Sequence, residues 1–467
     1  LQLVQVVHGL CPLLAGEELA QRAVWDVQEL AAGCGDKPAV SSGSSQSAGL
    51  SVKTVDLKQR KIRIYQYGFR KASITDTEDG RRLMNRVAEI EKAFNCVIEL
   101  PEDDDYTAVW NATMAGQPSF DIMSVAAPHL FAQPATNGIF QDLNQFKDAL
   151  DFSADKWSDQ TNGLYQLSGK QFACATESEG VNSLTGNLVM YFNKRLLKQA
   201  GYNPDDLYTM QKDGTWTWSK FEEMASKVAA LSSGGDTVWG CVNNASQLYN
   251  SLCVSNGLNW ITKDQQGVHF SADDPKCMAA MDFLLKLRGN NVIPQEDSFN
   301  DYKMFLEGKA GFIPEYLERL QHKDGYGGMQ DDFGLVMFPK PEGASSYISI
   351  NDWFSGWAIL TGVKEPEKVA LVLNALTEPL YPDREEMQKT QNSTYMSWVR
   401  DEGSMDVFPL VKANSVISPM GFASPVDAQW KEQVGKILKG EKTSAQAIQE
   451  VKSQYTDTLE GLWTLTE

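Results

Sequence analysis

The chain is poor in positive charge and lacks the motifs on which many enzymes depend. Its 467 residues hold 42 Lys and Arg against 61 Asp and Glu, a formal net charge of −19. Such an acidic chain repels phosphate backbones, which argues against a nucleic-acid partner. It has no Walker motif, no G-x-S-x-G and no H-E-x-x-H. Nucleotide hydrolysis, serine-esterase chemistry and zinc-protease chemistry therefore have no support in the sequence.

Long apolar runs and paired cysteines are also missing. No uninterrupted apolar run reaches the roughly 18 residues that a membrane-spanning helix needs. None of the seven cysteines forms a C-x-x-C pair, so we predict no metal and no cofactor. Cys241 and Cys253 are close enough in sequence for a disulfide outside the cytosol, and two separate buried thiols are the alternative. The acidic run 102–105 lacks the EF-hand spacing, which favours a solvated loop over a calcium site.

The first 57 residues have a composition of their own. Residues 30–34 read LAAGC and resemble a bacterial lipobox, which predicts lipidation of Cys34. The following stretch, 35–49, is rich in Ser, Gly and Ala and is typical of a flexible tether. Residues 1–33 are too polar for a signal peptide, and we interpret them as an altered start. A chance LAAGC in a cytosolic protein is the alternative.

The rest of the chain alternates strand and helix patterns. Residues 61–67 alternate polar and apolar side chains, as a strand does. Residues 80–94 place apolar side chains at three- and four-residue steps, which predicts an amphipathic helix. A second strand follows at 96–100, so the segment opens a βαβ unit. This order predicts an α/β fold with mostly parallel sheets flanked by helices.

Several segments resemble the family 1 extracellular solute-binding proteins, the group similar to maltose-binding protein. They are 187–201 (NLVMYFNKRLLKQAG), 217–221 (TWSKF), 305–312 (FLEGKAGF), 338–343 (FPKPEG), 356–370 (beginning GWAI and ending KEPEKVA) and 440–448 (GEKTSAQAI). Lys220 departs from the pattern, where glutamate is usual. Each segment is weak evidence, but they follow the family's order over 58–467.

The resemblance implies a two-lobed, hinged fold of the type II periplasmic-binding-protein kind. We expect one lobe to hold 58–174 and 344–391, and the other to hold 175–343 and 392–467. The implied function is extracytoplasmic: the lobes close on a carbohydrate, in particular an oligosaccharide, and deliver it to the transmembrane subunits of an ABC importer. We also expect the chain to be a monomer without catalytic activity, anchored by lipid to the outer face of the bacterial membrane.

Ligand contacts are sought after predicted strands, because ligands of open α/β sheets bind beyond the carboxyl ends of the strands. Sugars call for aromatic faces, carboxylates and amides. The candidates that follow predicted strands are Tyr67, Phe69, His129, Asn243 and Asn244. Glu177 and Glu179 lie where the chain is expected to cross first between the lobes, and Asp352 and Trp353 lie in a stretch of acidic and aromatic residues just before a predicted strand. The resemblance adds Tyr316, since the family often places an aromatic residue there. Local packing, a solvated loop or a turn is the plain alternative for each.

Other classes of function remain as alternatives. A peptide or a polyamine would suit a binding protein of the same fold, although the few arginines near the candidate loops argue against an anion. A secreted carbohydrate-active enzyme would need two carboxylates at a fixed separation. With 61 acidic residues such a pair can always be imagined, so the composition gives no evidence for it.

Overall fold

The structure is a computed structural model, and it describes most of the chain beyond residue 49. The described residues are 50–66, 78–101, 105–126, 131–177, 184–243, 245–295, 301–321, 326–352, 354–381, 383–423 and 425–463. Within them no helix is long and apolar enough to cross a membrane.

Sixteen α-helices and fourteen strands are recorded within these ranges. The strands are β1 Arg60–Tyr65, β2 Cys96–Glu99, β3 Ile122–Ala126, β4 Gln166–Leu167, β5 Lys170–Gln171, β6 Leu188–Asn193, β7 Trp239–Cys241, β8 Ile261–Lys263, β9 Val268–Phe270, β10 Ala310–Tyr316, β11 Phe333–Val336, β12 Ser349–Asn351, β13 Ser355–Ile359 and β14 Ser415–Ile417. The helices are α1 Glu78–Phe94, α2 Tyr106–Met114, α3 Ala132–Thr136, α4 Asp159–Leu164, α5 Lys194–Gln199, α6 Asp206–Lys212, α7 Trp218–Ala229, α8 Ala245–Ser255, α9 Pro275–Gly289, α10 Asp301–Leu306, α11 Pro366–Leu376, α12 Arg384–Trp398, α13 Glu402–Met405, α14 Val407–Asn414, α15 Asp427–Leu438 and α16 Ser444–Trp463.

The first four-stranded sheet has the order β13-β3-β1-β2. β1 pairs in parallel with β2 and β3, and β13 runs antiparallel to β3. Helix α1 covers this sheet because Val87, Ile90 and Phe94 return to one face and are buried. The predicted βαβ opening is therefore confirmed, with the helix two residues longer at its start.

The second four-stranded sheet has the order β11-β6-β10-β7. Strands β7, β10 and β11 run one way, and β6 runs against them. All six residues of β6 are buried, as expected for a strand covered on both faces. Three strands of each sheet thus share a direction, which agrees with the predicted mostly parallel α/β architecture.

The sequence 217–222 predicts the opening of a helix, and α7 begins there. The spacing of Ser219 and Glu222 is that of a capping box with Ser219 as the N-cap. Instead Thr217 is the N-cap, and its side chain accepts a hydrogen bond from the Lys220 N–H. The Ser219 N–H donates to Glu342 Oε1 at 3.0 Å. The capping-box assignment is wrong because a carboxylate from a distant loop reaches this helix start.

The chain crosses between the two sheets at places that meet in space. Cys174 still bridges to Trp357 in β13 of the first sheet, whereas Leu188 begins β6 of the second. Strand β12 lies on the return path from β11 to β13, and it pairs in parallel with β14. Asn187 forms a bridge to Asn351 at the end of β12. The crossing segments 184–188 and 349–352, together with 415–418, which pairs with β12, hold the candidate site.

Candidate functional site

Asn187 joins the crossing segments through a buried polar network. Its Oδ1 accepts from Ser349 Oγ at 3.2 Å and from Ser415 Oγ at 2.6 Å. Its backbone carbonyl accepts from the Leu317 N–H at 2.9 Å, directly after β10. All three polar side chains are buried, and the Ser349 hydroxyl also lies 2.8 Å from Leu188 O at the start of β6. This network fixes the end of β10 against the strand that precedes Asp352.

Tyr316 and Asp352 meet at this point. Tyr316 ends β10, and its hydroxyl donates to Asp352 Oδ2 at 3.2 Å. The Asp352 N–H donates to Gly186 O at 3.2 Å, which ties the residue to the first crossing segment. Two of the predicted ligand contacts, far apart in sequence, are therefore in direct contact.

The Asp352 carboxyl is incompletely satisfied. Its Oδ1 atom is shielded from solvent and has no hydrogen-bond partner. Burial raises the pKa of Asp352 above its usual value, against the lowering effect of hydrogen bonds from Ser418 and Tyr316. Burial, followed by the charge of Asp352, also raises the pKa of Tyr316 well above its ordinary value, so this hydroxyl stays a donor. The pair therefore offers a carboxyl oxygen without a partner beside a neutral phenol.

Asn243 lies beside the same end of the second sheet. Its Nδ2 donates to Pro314 O at 2.6 Å, two residues before Tyr316 on the neighbouring strand. Strands β7 and β10 are parallel, so their carboxyl ends meet at one edge. The structure thus brings Asn243 to the edge that also carries Tyr316.

The contacts of Glu177 differ from those of Tyr316, Asp352 and Asn243. Its N–H donates to the carbonyl of Lys156 at 2.9 Å, next to the bridge between Trp157 and Thr176. The remaining predicted contacts lie outside the described residues. They are Tyr67, Phe69, His129, Glu179, Asn244 and Trp353. Their roles stay predictions.

The sequence reasoning missed Ser418, whose side chain lowers the pKa of Asp352 against the effect of burial. Its N–H donates to Asn351 O at 2.9 Å, which continues the pairing of β14 with β12. Ser418 does follow a strand, so the rule used for the other candidates applies to it. That strand, Ser415–Ile417, has only three residues and shows too little periodicity to be predicted.

The disulfide predicted for Cys241 and Cys253 is not present. Both are buried free thiols in the structure. Cys241 lies on β7, whereas Cys253 lies near the end of α8 beside Cys277 on the neighbouring helix. Separation of only twelve positions in sequence does not bring the two sulfurs together, because strand and helix bury them in different surroundings.

Comparison with known proteins gives the family. A profile of the bacterial extracellular solute-binding protein family matches residues 85–380. A search of characterised proteins by sequence found no match.

Solved structures share the fold. One is the cyclic alpha-maltosyl-1,6-maltose binding protein from Arthrobacter globiformis (TM-score 0.63, 16% identity, 86% of this chain and 100% of that chain). A second is the galacto-N-biose-/lacto-N-biose I-binding protein of the ABC transporter from Bifidobacterium longum (TM-score 0.63, 15% identity, 88% and 100%). A third is an ABC substrate-binding protein from Listeria monocytogenes in complex with cycloalternan (TM-score 0.54, 17% identity, 86% and 99%).

These structures are two-lobed type II periplasmic binding proteins, and the two sheets joined by crossing strands agree with that architecture. The profile covers more than half of the chain, from within α1 to just beyond the end of α11. This chain belongs to the bacterial extracellular solute-binding protein family.

Proposed function

We propose that this chain is the extracytoplasmic component of an ABC importer and that it captures a carbohydrate, in particular an oligosaccharide. Similar folds carry such ligands: the relatives described above are named for, or hold, cyclic alpha-maltosyl-1,6-maltose, lacto-N-biose and cycloalternan. The chain gives its solute to the transmembrane subunits of a permease and does not change the bonds of the solute.

The Asp352 Oδ1 atom is the observation that carries this proposal. A buried acceptor without a partner costs about 1–3 kcal/mol, and Asp352 Oδ1 is such an atom at the junction of the crossing segments. A sugar hydroxyl that donates to this oxygen removes the cost, and a ligand without a donor cannot. Asn243 at the same edge supplies an amide. The site therefore favours a ligand that carries a hydrogen-bond donor, as a sugar hydroxyl does.

Closure of two lobes is the proposed capture step. We assign 58–174 with 344–391 to one lobe and 175–343 with 392–467 to the other. Hinge closure around a ligand is an established motion of periplasmic binding proteins. The segments that cross between the sheets hold the Tyr316–Asp352 pair, so a ligand bound there would touch the part of the molecule about which the lobes turn.

Attachment to the membrane is the remaining part of the proposal. Cys34 is the proposed lipidation site, and 35–49 is the proposed tether; both lie outside the described residues. Because one acyl chain binds a membrane weakly, more than one chain would be needed for stable anchoring. A single copy of the chain would serve the permease.

Asp352→Asn tests the proposed site. We expect wild-type protein to bind at least one of maltotetraose, a cyclic maltodextrin and lacto-N-biose by calorimetry, and Asp352→Asn to bind it about 10- to 100-fold more weakly. The amide keeps the shape but offers one acceptor and adds a donor that faces the sugar hydroxyl. Asp236→Asn, in an exposed turn, is the matched control and should bind as wild type does.

Three outcomes would contradict the proposal. Binding of spermidine or a peptide, with no response to any sugar, would assign the site to another solute. Equal sugar affinity in wild type and Asp352→Asn would remove Asp352 from the site. Appearance of shortened sugars on chromatography after incubation would show an enzyme.

A further inference from the structure

Two buried thiols lie at one end of the contact between α8 and α9. The two helices pack against each other. Cys253 lies near the end of α8 and Cys277 in the first turn of α9, and both side chains are fully buried. The Asn256 Nδ2 atom donates to Lys276 O at 3.0 Å, so the end of α8 is fixed beside the residue that precedes Cys277. The two thiols are therefore neighbours in space, although 24 positions separate them in sequence.

The helical repeat brings Cys253 to the side of α8 that contacts α9. Asn256 continues the last turn of α8 and lies three positions after Cys253, and residues three apart on a helix share a face. Cys277 opens the buried stripe of α9 that continues with Ala280 and Leu284. Helix axes in contact are about 8–10 Å apart, which leaves about 4–6 Å between facing Cα atoms. A disulfide needs about 4.4–6.8 Å between its Cα atoms, so this helix contact provides the spacing.

The surroundings of Cys253 differ from those of other buried cysteines. Burial raises the pKa of the Cys253 thiol well above its ordinary value, and Cys277 raises it further. By contrast, Cys241 Sγ donates to a backbone carbonyl at 3.8 Å and Cys174 Sγ to another at 3.6 Å. Cys277 is therefore the sulfur with which Cys253 can react.

We propose that Cys253 and Cys277 form a disulfide that joins α8 to α9. The structure holds both as thiols, so the bond requires an oxidation. Each thiol loses its proton, one sulfur–sulfur bond forms, and the two electrons reduce the disulfide of an oxidant, such as oxidised glutathione, to two thiols. The chain belongs to an extracellular family, and disulfides persist outside the cytosol. The proposal rests on that location and is independent of the solute.

The bond forms during folding. In the folded protein neither sulfur is exposed, and the raised pKa of Cys253 leaves almost no thiolate, which is the form that attacks a disulfide. The oxidant therefore reaches the pair before α9 covers α8, and the finished bond is shielded from reductants. Because α8 begins two residues after Asn243, the bond fixes the helix that follows this candidate ligand contact.

The test is refolding of the full chain, unfolded and reduced, in a mixture of reduced and oxidised glutathione. The product is denatured, treated with N-ethylmaleimide, digested and analysed by mass spectrometry. We expect the peptides that contain Cys253 and Cys277 to be joined and to separate only after reduction, whereas Cys174 and Cys241 carry maleimide. Maleimide or glutathione on both Cys253 and Cys277 would overturn the inference, as would a bond from either of them to another cysteine.

Thermal unfolding tests the same bond without digestion. Refolding in dithiothreitol should lower the Tm of wild type by at least about 3 °C, because the reduced chain lacks the cross-link. Cys253→Ala and Cys277→Ala should each have the same Tm with and without dithiothreitol, and either variant serves if the other does not fold. Cys241→Ala, at an equally buried thiol, is the matched control and should keep the wild-type difference.

Two thermal results would also overturn the inference: an equal Tm for wild type refolded with glutathione and with dithiothreitol, or a loss of the wild-type size in Cys253→Ala. Sugar binding is measured separately on the same preparations. A missing bond and a failed carbohydrate proposal therefore give different results.

Discussion

At the scale of single residues, Lys194 and Asp401 form an ion pair that is largely removed from solvent. Lys194 begins α5 and is almost buried; its Nζ contacts Asp401 Oδ2 at 2.9 Å and Asp205 Oδ1 at 3.3 Å. Asp401 is 21% exposed and also accepts from the hydroxyl of Tyr208 and from the Ser404 N–H. Burial raises the pKa of Asp401, but these partners outweigh burial and lower the pKa below 3.8. The pair joins the second sheet to the helices that follow α12.

Asp401→Asn should destabilise the protein by about 2 kcal/mol at pH 7, because it leaves the buried Lys194 without its main counter-charge. A carboxyl whose pKa is depressed on folding stabilises the protein above its unfolded pKa, and this stabilisation is lost as pH falls through the folded pKa. The difference between wild type and variant should therefore shrink below about pH 4. Urea denaturation of wild type and variant at pH 7 and pH 3 measures this difference in the free energy of unfolding.

Asp205→Asn is the control for this pair. Asp205 contacts the same lysine but is 67% exposed, so water already screens it. Its replacement should cost less than about 0.5 kcal/mol. A loss as large as that of Asp401→Asn, or a difference that does not change with pH, would contradict the assignment of the buried charge pair.

At the scale of elements, periodicity predicted which segments are helices and strands, but not how they end. Residues 80–94 predicted α1 because an amphipathic stripe depends on spacing alone. The predicted cap of α7 was wrong: Thr217 is the N-cap, and Glu342, 123 positions away from Ser219, accepts from the Ser219 N–H. Three-residue strands such as β12 and β14 were not predicted, since they are formed by pairing with each other and have little pattern of their own.

The cap of α7 gives a prediction at this scale. Thr217→Ala should lower the free energy of unfolding by about 1 kcal/mol, because it removes the side-chain acceptor for the Lys220 N–H. Ser219→Ala should cost less than Thr217→Ala, since the Ser219 N–H keeps its contact with Glu342 Oε1. Guanidinium denaturation of both variants measures the two values. A larger effect at Ser219 would restore the capping box.

For the whole molecule, the two sheets and the segments that cross between them predict a change of shape on binding. Ligand capture between hinged lobes should reduce the radius of gyration measured by small-angle X-ray scattering. The reduction should saturate with the sugar that calorimetry identifies. Asp352→Asn at the same sugar concentration should keep the radius of the free protein, because too little of it is bound. A radius unchanged in saturated wild type would argue against closure.

The sequence by itself determined the family and the α/β architecture. The six motifs are local properties, and so are the two-residue and 3.6-residue periods of the apolar side chains. Local properties can be recognised in the sequence without knowledge of the fold. The same reading identified three of the site residues one at a time. Asn243 follows a predicted strand, Asp352 lies in a stretch of acidic and aromatic residues just before one, and Tyr316 was implied by the family resemblance.

Only the tertiary structure decided which of these residues meet. The contact of Tyr316 with Asp352 and the influence of Ser418 on Asp352 each join segments that are distant in the chain. Burial decided the state of the cysteines and the lowered pKa of Lys263. Hydrogen bonding and desolvation depend on neighbours in space, and those neighbours exist only when the crossing strands pack together.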